Sequence, residues 1–349
     1  MKKKIISVLR FSLFLSIGIF FIWLFLRNLT PEQKHEIIIS LGKANYWWIV
    51  AAIVPGILSH VVRAVRWKML LEPLGYQPKT TNIIFSVFIG YLANLALPRL
   101  GEVSRCGILT KYEKIPFNKS FGTVITERTI DMLFFILLFF INLAFQLTKL
   151  YSYIEQKVFL PLSQKFNYKI DFTGSLTYLV LAVIIVLVLL FWIFRKQIIY
   201  SKIYLKIRNL ILGLLEGMKS LLKIKKPFLF ITYTLIIWFL YLMMAYVVFF
   251  AMPQTSSLGL DAGFAILIFG SIGIMVVQGG IGIYPAIVAE TLFIYSIPET
   301  TGYAMGWLIW LSQNVIIVIF GVASTLLLPI YNKNDYGKDR IHSIENTKA

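Results

Sequence analysis

Charge is scarce in this chain of 349 residues: 14% of them are Asp, Glu, Lys or Arg, whereas 58% are hydrophobic. An average soluble domain is charged at roughly a quarter of its positions, so a water-soluble globular fold is excluded. Cysteine is scarcer still. Cys106 has no second cysteine to pair with, and the three histidines are scattered. An internal disulfide is therefore excluded, no Cys or His cluster has metal-ligand spacing, and neither a metal nor a cofactor is expected. Lysine and arginine are missing altogether between Lys226 and Lys333. Elsewhere the bases lie between apolar stretches, and topology control and anionic headgroups explain the net charge of +18 better than nucleic acid does.

What the chain has in abundance is apolar runs of about 20 residues, each long enough to cross a hydrocarbon core roughly 30 Å thick. Spans are expected at about 8–26, 46–67, 121–147, 175–194, 228–251 and 303–330. The first follows Lys2, Lys3 and Lys4, but its apolar region outruns a signal-peptide core and no small-residue cleavage site follows Arg27. It is expected to be retained as a helix.

Two further apolar stretches, 80–97 and 263–297, are punctuated by Gly, Pro and polar residues. Bases flank the first on both sides, with Arg63, Arg66, Lys68 and Lys79 before it and Arg99, Arg105, Lys111, Lys114 and Lys119 after it. The positive-inside rule puts both flanks in the cytoplasm. A stretch with both ends on one side is a re-entrant hairpin, and Gly90, Asn94 and Pro98 supply the breaks it needs. The second stretch lies in the base-free region and has Val277-Gln278-Gly279-Gly280-Ile281-Gly282-Ile283-Tyr284-Pro285 at its centre, which cannot continue as a regular helix. It reads as a hairpin from the outside.

The expected architecture is an all-α polytopic membrane protein: about six spanning helices plus two re-entrant helical hairpins, arranged as a possible inverted repeat. One transmembrane domain covers 1–331 and a polar cytoplasmic tail covers 332–349, with both termini cytoplasmic in the plasma (inner) membrane. The 148–173 loop fits this topology poorly, because it carries four lysines where an outside loop is expected. The loop from Arg195 to Lys226, with nine Lys or Arg against Glu216 alone, holds Leu210, Leu214, Met218 and Leu221 at helical spacing. That pattern suits a basic amphipathic helix on the inner leaflet or a plain connector.

A charge inside an apolar segment costs about 2.5 to 3.5 kcal/mol on insertion scales, so it must be paired, solvated or functional. Three groups stand out. Arg63 and Arg66 share a helix face beside Trp67. Two guanidinium forks there can grip a phosphate with Trp67 at headgroup level, or can simply anchor the helix end. Asn94, Pro98 and Gly101 set a break and a turn, after which Arg99, Glu102 and Arg105, at steps of three, line one face of a resumed helix. Glu127, Arg128 and Asp131 lie about two turns into an apolar span, and the acids there need partners that the arginines can supply. The candidate lipid-phosphate residues are thus Arg63, Arg66, Arg99, Arg105 and Arg128, with Glu102, Glu127 and Asp131 as charge partners or a proton relay. In the second half, Gln278, Gly279, Gly280 and Gly282 form the hairpin lining, joined by Tyr284, Glu290, Gln313 and Asn314 as weakly polar groups.

Taken together, Arg63-x-x-Arg66-Trp67, Asn94-x-x-x-Pro98 with Arg99, Gly101-Glu102 and Arg105, Glu127-Arg128-x-x-Asp131 and Gly279-Gly280-Ile281-Gly282 resemble the lysylphosphatidylglycerol synthase transmembrane-region family, also called flippase-like membrane proteins. The resemblance covers roughly residues 5–331. It implies a helical bundle that moves a modified phospholipid between leaflets. Synthases of that family carry a soluble aminoacyl-transferase domain after the membrane part. None follows here, so tRNA use and lipid synthesis are not expected. Many relatives have an acid after the glycine motif where this chain has Tyr284-Pro285, which leaves the substrate of the second half open.

The leading expectation is a flippase for an anionic phospholipid or polyprenyl-linked lipid. The alternatives are an intramembrane transferase using Glu127 or Asp131 as base, and an accessory subunit of a lipid-synthesis enzyme partner.

Overall fold

The computed structural model describes residues 16, 18–27, 29–154 and 224–333. Among these the chain is helices joined by turns. After α1 (18–26) come α2 (Pro31–Lys43), α3 (Trp47–Leu71), α4 (Thr80–Ala96), α5 (Leu100–Glu113) and α6 (Phe117–Ile154). The second half holds α7 (Pro227–Val248), α8 (Leu260–Val276), α9 (Ile283–Phe293) and α10 (Glu299–Tyr331). The chain forms two compact units: Met1–Asp131 with Lys223–Ala349, and Met132–Leu222.

Four helical stretches among the described residues are long and apolar enough to cross a membrane: Trp47–Leu74, Phe117–Leu147, Pro227–Ala251 and Glu299–Tyr331. They correspond to the spans expected at 46–67, 121–147, 228–251 and 303–330. Of the expected 8–26 span only part is described, as helix over 18–26. The 175–194 span, most of the 148–173 loop, the Leu210–Leu221 amphipathic segment and nearly all of the tail from 332 lie outside the described residues.

The expected hairpin at 80–97 needs a correction. That segment is one helical arm, α4, whose 17 residues span about 25 Å at 1.5 Å per residue. The return arm is α5, which hydropathy alone assigned to a basic flank because it carries Glu102, Arg105 and Lys111. The chain reverses at Leu97-Pro98-Arg99, where Arg99 takes a left-handed φ of 64°. The arms run antiparallel: at the base Glu113 accepts from the Lys79 amide at 3.1 Å and from Asn82 at 2.5 Å, and near the tip the Gly101 amide donates to Asn94 Oδ1 at 2.7 Å.

Gly101 is accordingly not the turn. It sits in the first turn of α5, where a Cβ would run into Gly90 O and the Asn94 side chain, so both glycines are needed for the close helix crossing.

The second hairpin matches its expected place more closely. Its arms are α8 and α9, and the reversal uses Gly279, Gly280 and Gly282 at φ of 68°, 69° and 75°, conformations that cost a glycine little. Gly270 and Gly273 on α8 lie against Tyr284 and Ile287 on α9.

Helix α10 is the spine to which both hairpins attach. Gly302 lies against Ala289, Gly306 against Pro285, and Trp310 donates to Gly279 O at 2.6 Å. Farther along, Gly321 lies against Phe88 and Leu92, and Asn332 exchanges two hydrogen bonds with Asn82 at 2.8 and 2.9 Å. The hairpins therefore lie along α10 tip to tip, with Leu95 of the first beside Gly279 of the second. Their bases sit at opposite ends of a helix of 33 residues, about 50 Å long.

Candidate functional site

The charged residues singled out by sequence separate into two groups. The first is a buried ion network between α3, α5, α6 and α7. Glu127, 0% exposed, accepts from Arg63 at 3.1 Å, Arg66 at 3.3 Å and Arg105 at 2.7 Å. Asp131, one turn on, pairs with Arg63 at 3.0 Å and Arg66 at 2.7 Å. Arg66 also donates to Thr234 at 3.0 Å. The one turn separating each pair puts both arginines and both acids on facing helix surfaces, as their i, i+3 and i, i+4 spacing requires. Three buried guanidinium groups against two carboxylates leave one positive charge in excess, and the arginine faces are covered by rings: Arg105 lies 4.5 Å over Trp67 and Arg66 5.3 Å over Phe230.

Trp67 is not the interfacial anchor expected from its position. It is fully buried, and its indole N–H donates to Thr123 at 2.9 Å. The chain places tryptophan at the surface elsewhere, in Trp47 and Trp48 at the start of α3. Arg63, Arg66 and Arg105 are paired with Glu127 and Asp131 and are not among the residues that line the cavity described next.

The second group lines a cavity of about 700 Å³ between the two hairpin tips. Asn94, Pro98, Arg99 and Glu102 come from the first hairpin, and Ser271, Gly279 and Tyr284 from the second. Arg128 reaches in from α6 and pairs with Glu102 at 2.8 Å, keeping 44% of its side chain exposed. The other carboxylate oxygen of Glu102 is buried and has no hydrogen-bond partner among the described residues. Arg99 is exposed and pairs with no acid among the described residues. Arg99, Glu102 and Arg105 do not share a face after all. The left-handed backbone at Arg99 takes it out of the helix register, and Arg105 turns inward to Glu127.

Opposite these polar groups the wall is apolar, formed by Leu267, Ile274, Met275 and Val276 of α8. Met275 and Val276 are 66% and 64% exposed, so this wall continues onto the outside of the protein. On α10, Gln313 donates to the Tyr284 hydroxyl at 3.2 Å and Asn314 to Trp310 O at 2.8 Å, both at the cavity edge. Gly280 and Gly282 shape the turn behind it, Glu290 is exposed away from it, and the side chain of Gln278 lies outside the described residues. The wall residues that escaped the sequence reading include His60, Tyr91, Tyr241 and Ser271 as well as its apolar members. His60 had a signal, since it lies one turn before Arg63 inside an apolar span, where an ionisable side chain calls for a reason. No group of His, Cys, Asp or Glu able to hold a metal occurs among the described residues.

Comparison with known proteins agrees with this architecture. The sequence model of the family described as "Lysylphosphatidylglycerol synthase TM region" matches residues 8–321. The UPF0104 membrane protein MJ1595 of Methanocaldococcus jannaschii is 26% identical over 153 residues, 43% of this chain and 45% of that protein. A protein of Haloferax volcanii named Glycosyltransferase AglD is 30% identical over 102 residues, 29% of this chain and 16% of that one. The alignments thus span less than half the length of either relative, and no solved structure matches. With the family pattern covering nearly the whole chain and the helical architecture that goes with it, the protein is a member of the lysylphosphatidylglycerol synthase transmembrane-region family.

Proposed function

We propose that this protein moves an anionic lipid, phospholipid or polyprenyl-linked, between the leaflets of the plasma membrane. The observation that carries the reading is the two-sided cavity between the hairpin tips, with Arg99, Arg128, Glu102 and Asn94 on one side and an exposed apolar wall of α8 on the other. An amphiphile fits such a site, its phosphate at the arginines and its chain along Met275 and Val276. Arg99 and Arg128 outnumber Glu102, so the cavity favours a negative headgroup. The buried network of Arg63, Arg66 and Arg105 with Glu127 and Asp131 serves as the frame that sets α3, α5 and α6 around the site. The Glu102–Arg128 pair closes one side of the cavity and opens when a phosphate takes Arg128 from Glu102.

The test is lipid scrambling in proteoliposomes holding a fluorescent anionic phospholipid. Wild-type protein is expected to exceed empty vesicles, and Arg99→Ala and Arg128→Ala to fall to the empty-vesicle rate. Equal rates in all four preparations would sink the proposal.

One observation favours a second reading, an intramembrane transferase: the partial match to a protein named Glycosyltransferase AglD. Mass spectrometry of lipids from a deletion strain separates the two. A missing or new lipid species supports the transferase, and an unchanged inventory with altered leaflet distribution supports the flippase.

A further inference from the structure

Helix α2 shows three sides, each set by the i, i+3, i+4 and i+7 spacing of a helix surface. Ile37 and Leu41, continued by Ala44 just past the helix, pack into the core. Glu32, Glu36, Ser40 and Lys43 form a polar stripe, and Glu36 accepts from Thr300 at the start of α10 at 3.0 Å. The third side is His35, Ile38, Ile39 and Gly42, all exposed, with Ile38 at 66%. Two isoleucines on an outward side forgo the gain from burial unless something apolar covers them.

The position of α2 narrows what that cover is. Its Glu36 is tied to the start of α10, and Asn45, just after the helix, donates its amide to Ala251 O beyond the end of α7 at 2.8 Å. Helices α7 and α10 flank the second hairpin in the chain, so α2 lies at that hairpin's base. With 13 residues it is about 20 Å long, too short for a hydrocarbon core of roughly 30 Å. It also carries Glu32, Lys34, Glu36 and Lys43, which suit it to the surface of a bilayer and not to its interior.

The exposed side continues into aromatic residues. Tyr46 folds back to donate its hydroxyl to Leu41 O at 2.9 Å, and Trp47 beside it is 78% exposed. Val50, Val54 and Leu58 follow as exposed residues on α3, which belongs to a stretch long and apolar enough to cross a membrane. Tyrosine and tryptophan at the end of such a helix settle at headgroup level, and that places α2 at the same level. Two acids and two lysines leave α2 without net charge, so apolar insertion, and not attraction to anionic headgroups, is what seats it.

We propose that the side of α2 formed by His35, Ile38, Ile39 and Gly42, with Tyr46 and Trp47, is a membrane-docking surface. Its partner is the boundary between headgroups and acyl chains in the leaflet at the base of the second hairpin. Seated there, α2 holds the adjoining ends of α7 and α10 at the bilayer surface. Nothing in this requires a lipid to pass between the hairpin tips.

The test places the full-length protein in nanodiscs of phosphatidylcholine, which leave both faces open to water, with bimane on one introduced cysteine. Cys106 is buried and gives little background. Bimane on Ile38→Cys is expected to be quenched by phosphatidylcholine carrying a nitroxide near the top of its acyl chain, and to be several-fold less sensitive to aqueous iodide than bimane on Glu32→Cys. Bimane on Glu32→Cys is expected to show the reverse pattern. Ile39→Cys shares the exposed side and is expected to follow Ile38→Cys, which guards against a local effect of one label. Iodide quenching of Ile38→Cys as strong as that of Glu32→Cys overturns the proposal, because the side then faces water. Protection of Ile38→Cys from both quenchers also overturns it, since a second copy of the chain seated on α2 would give that result. Stronger quenching of Ile38→Cys by a nitroxide at the chain end than by the shallow one overturns the interfacial position.

Discussion

At the residue scale, the five arginines differ in what they can do, although the sequence presents them as one set. Arg63, Arg66 and Arg105 are buried and paired with Glu127 and Asp131, so removing an acid leaves guanidinium groups with no compensation. Breaking a buried ion pair from one side typically costs about 3 to 5 kcal/mol. Glu127→Gln, which keeps shape and removes charge, is expected to lower the midpoint of thermal unfolding in detergent steeply. Arg128→Gln removes a half-exposed partner of Glu102 and is expected to shift stability by about 1 kcal/mol or less while abolishing lipid movement. Equal melting points for the two variants would contradict the division into frame and site. Spacing foretold the pairing, because i, i+3 and i, i+4 charges in apolar helices have to face something. What it withheld was the partition. Whether an arginine meets an acid or a cavity depends on the path of the chain at Pro98-Arg99, and a residue with φ of 64° there breaks the register that the steps of three assume.

At the element scale, the first hairpin depends on two glycines that bring backbones together. Gly101→Ala puts a methyl group onto Gly90 O and the Asn94 amide, neither of which can move without parting the arms or giving up the Asn94–Gly101 hydrogen bond. The variant is expected to melt earlier and to lose transport, because Asn94, Arg99 and Glu102 are all set by that crossing. Gly107, on the same helix, is the control, since a Cβ there meets nothing within 4 Å. Gly107→Ala is expected to stabilise by about 0.5 to 1 kcal/mol through reduced backbone entropy of the unfolded chain. Opposite signs for two identical changes six residues apart would trace the effect to the crossing. The hairpin was legible in the sequence from its basic flanks, but its length was not. The return arm carries Glu102 and Arg105, whose partners come from α6, and no hydropathy window sees a partner from another helix. The glycine turn of the second hairpin was legible because three positive-φ glycines in four residues leave the chain few alternatives.

At the scale of the molecule, the order of elements repeats: a long apolar helix, a hairpin and a long apolar helix in each half, α3 to α6 and α7 to α10. Contacts along α10 set the direction of each hairpin. Residues 302 to 310 hold the second hairpin from base to tip, and residues 321 to 332 hold the first from near its tip to its base. If α10 crosses the bilayer, as its length and composition allow, the two bases are on opposite faces and the cavity lies between the tips, inside the membrane. Cysteine labelling from each side of sealed vesicles tests this directly. Asn82, buried at the base of the first hairpin and bonded to Asn332, is a poor place for a probe. Gln77 and Lys114 are exposed and flank the same base, and Ser257 and Ser296 are exposed and flank the base of the second. Cys106 is buried and gives little background. Gln77→Cys and Lys114→Cys are expected to react with an impermeant maleimide from the cytoplasmic side, and Ser257→Cys and Ser296→Cys from the other side. Reaction of Gln77→Cys and Lys114→Cys from different sides would make α4 and α5 something other than a re-entrant pair. Reaction of all four from one side would take the inverted arrangement away and, with it, the reason for a lipid headgroup to pass between the tips.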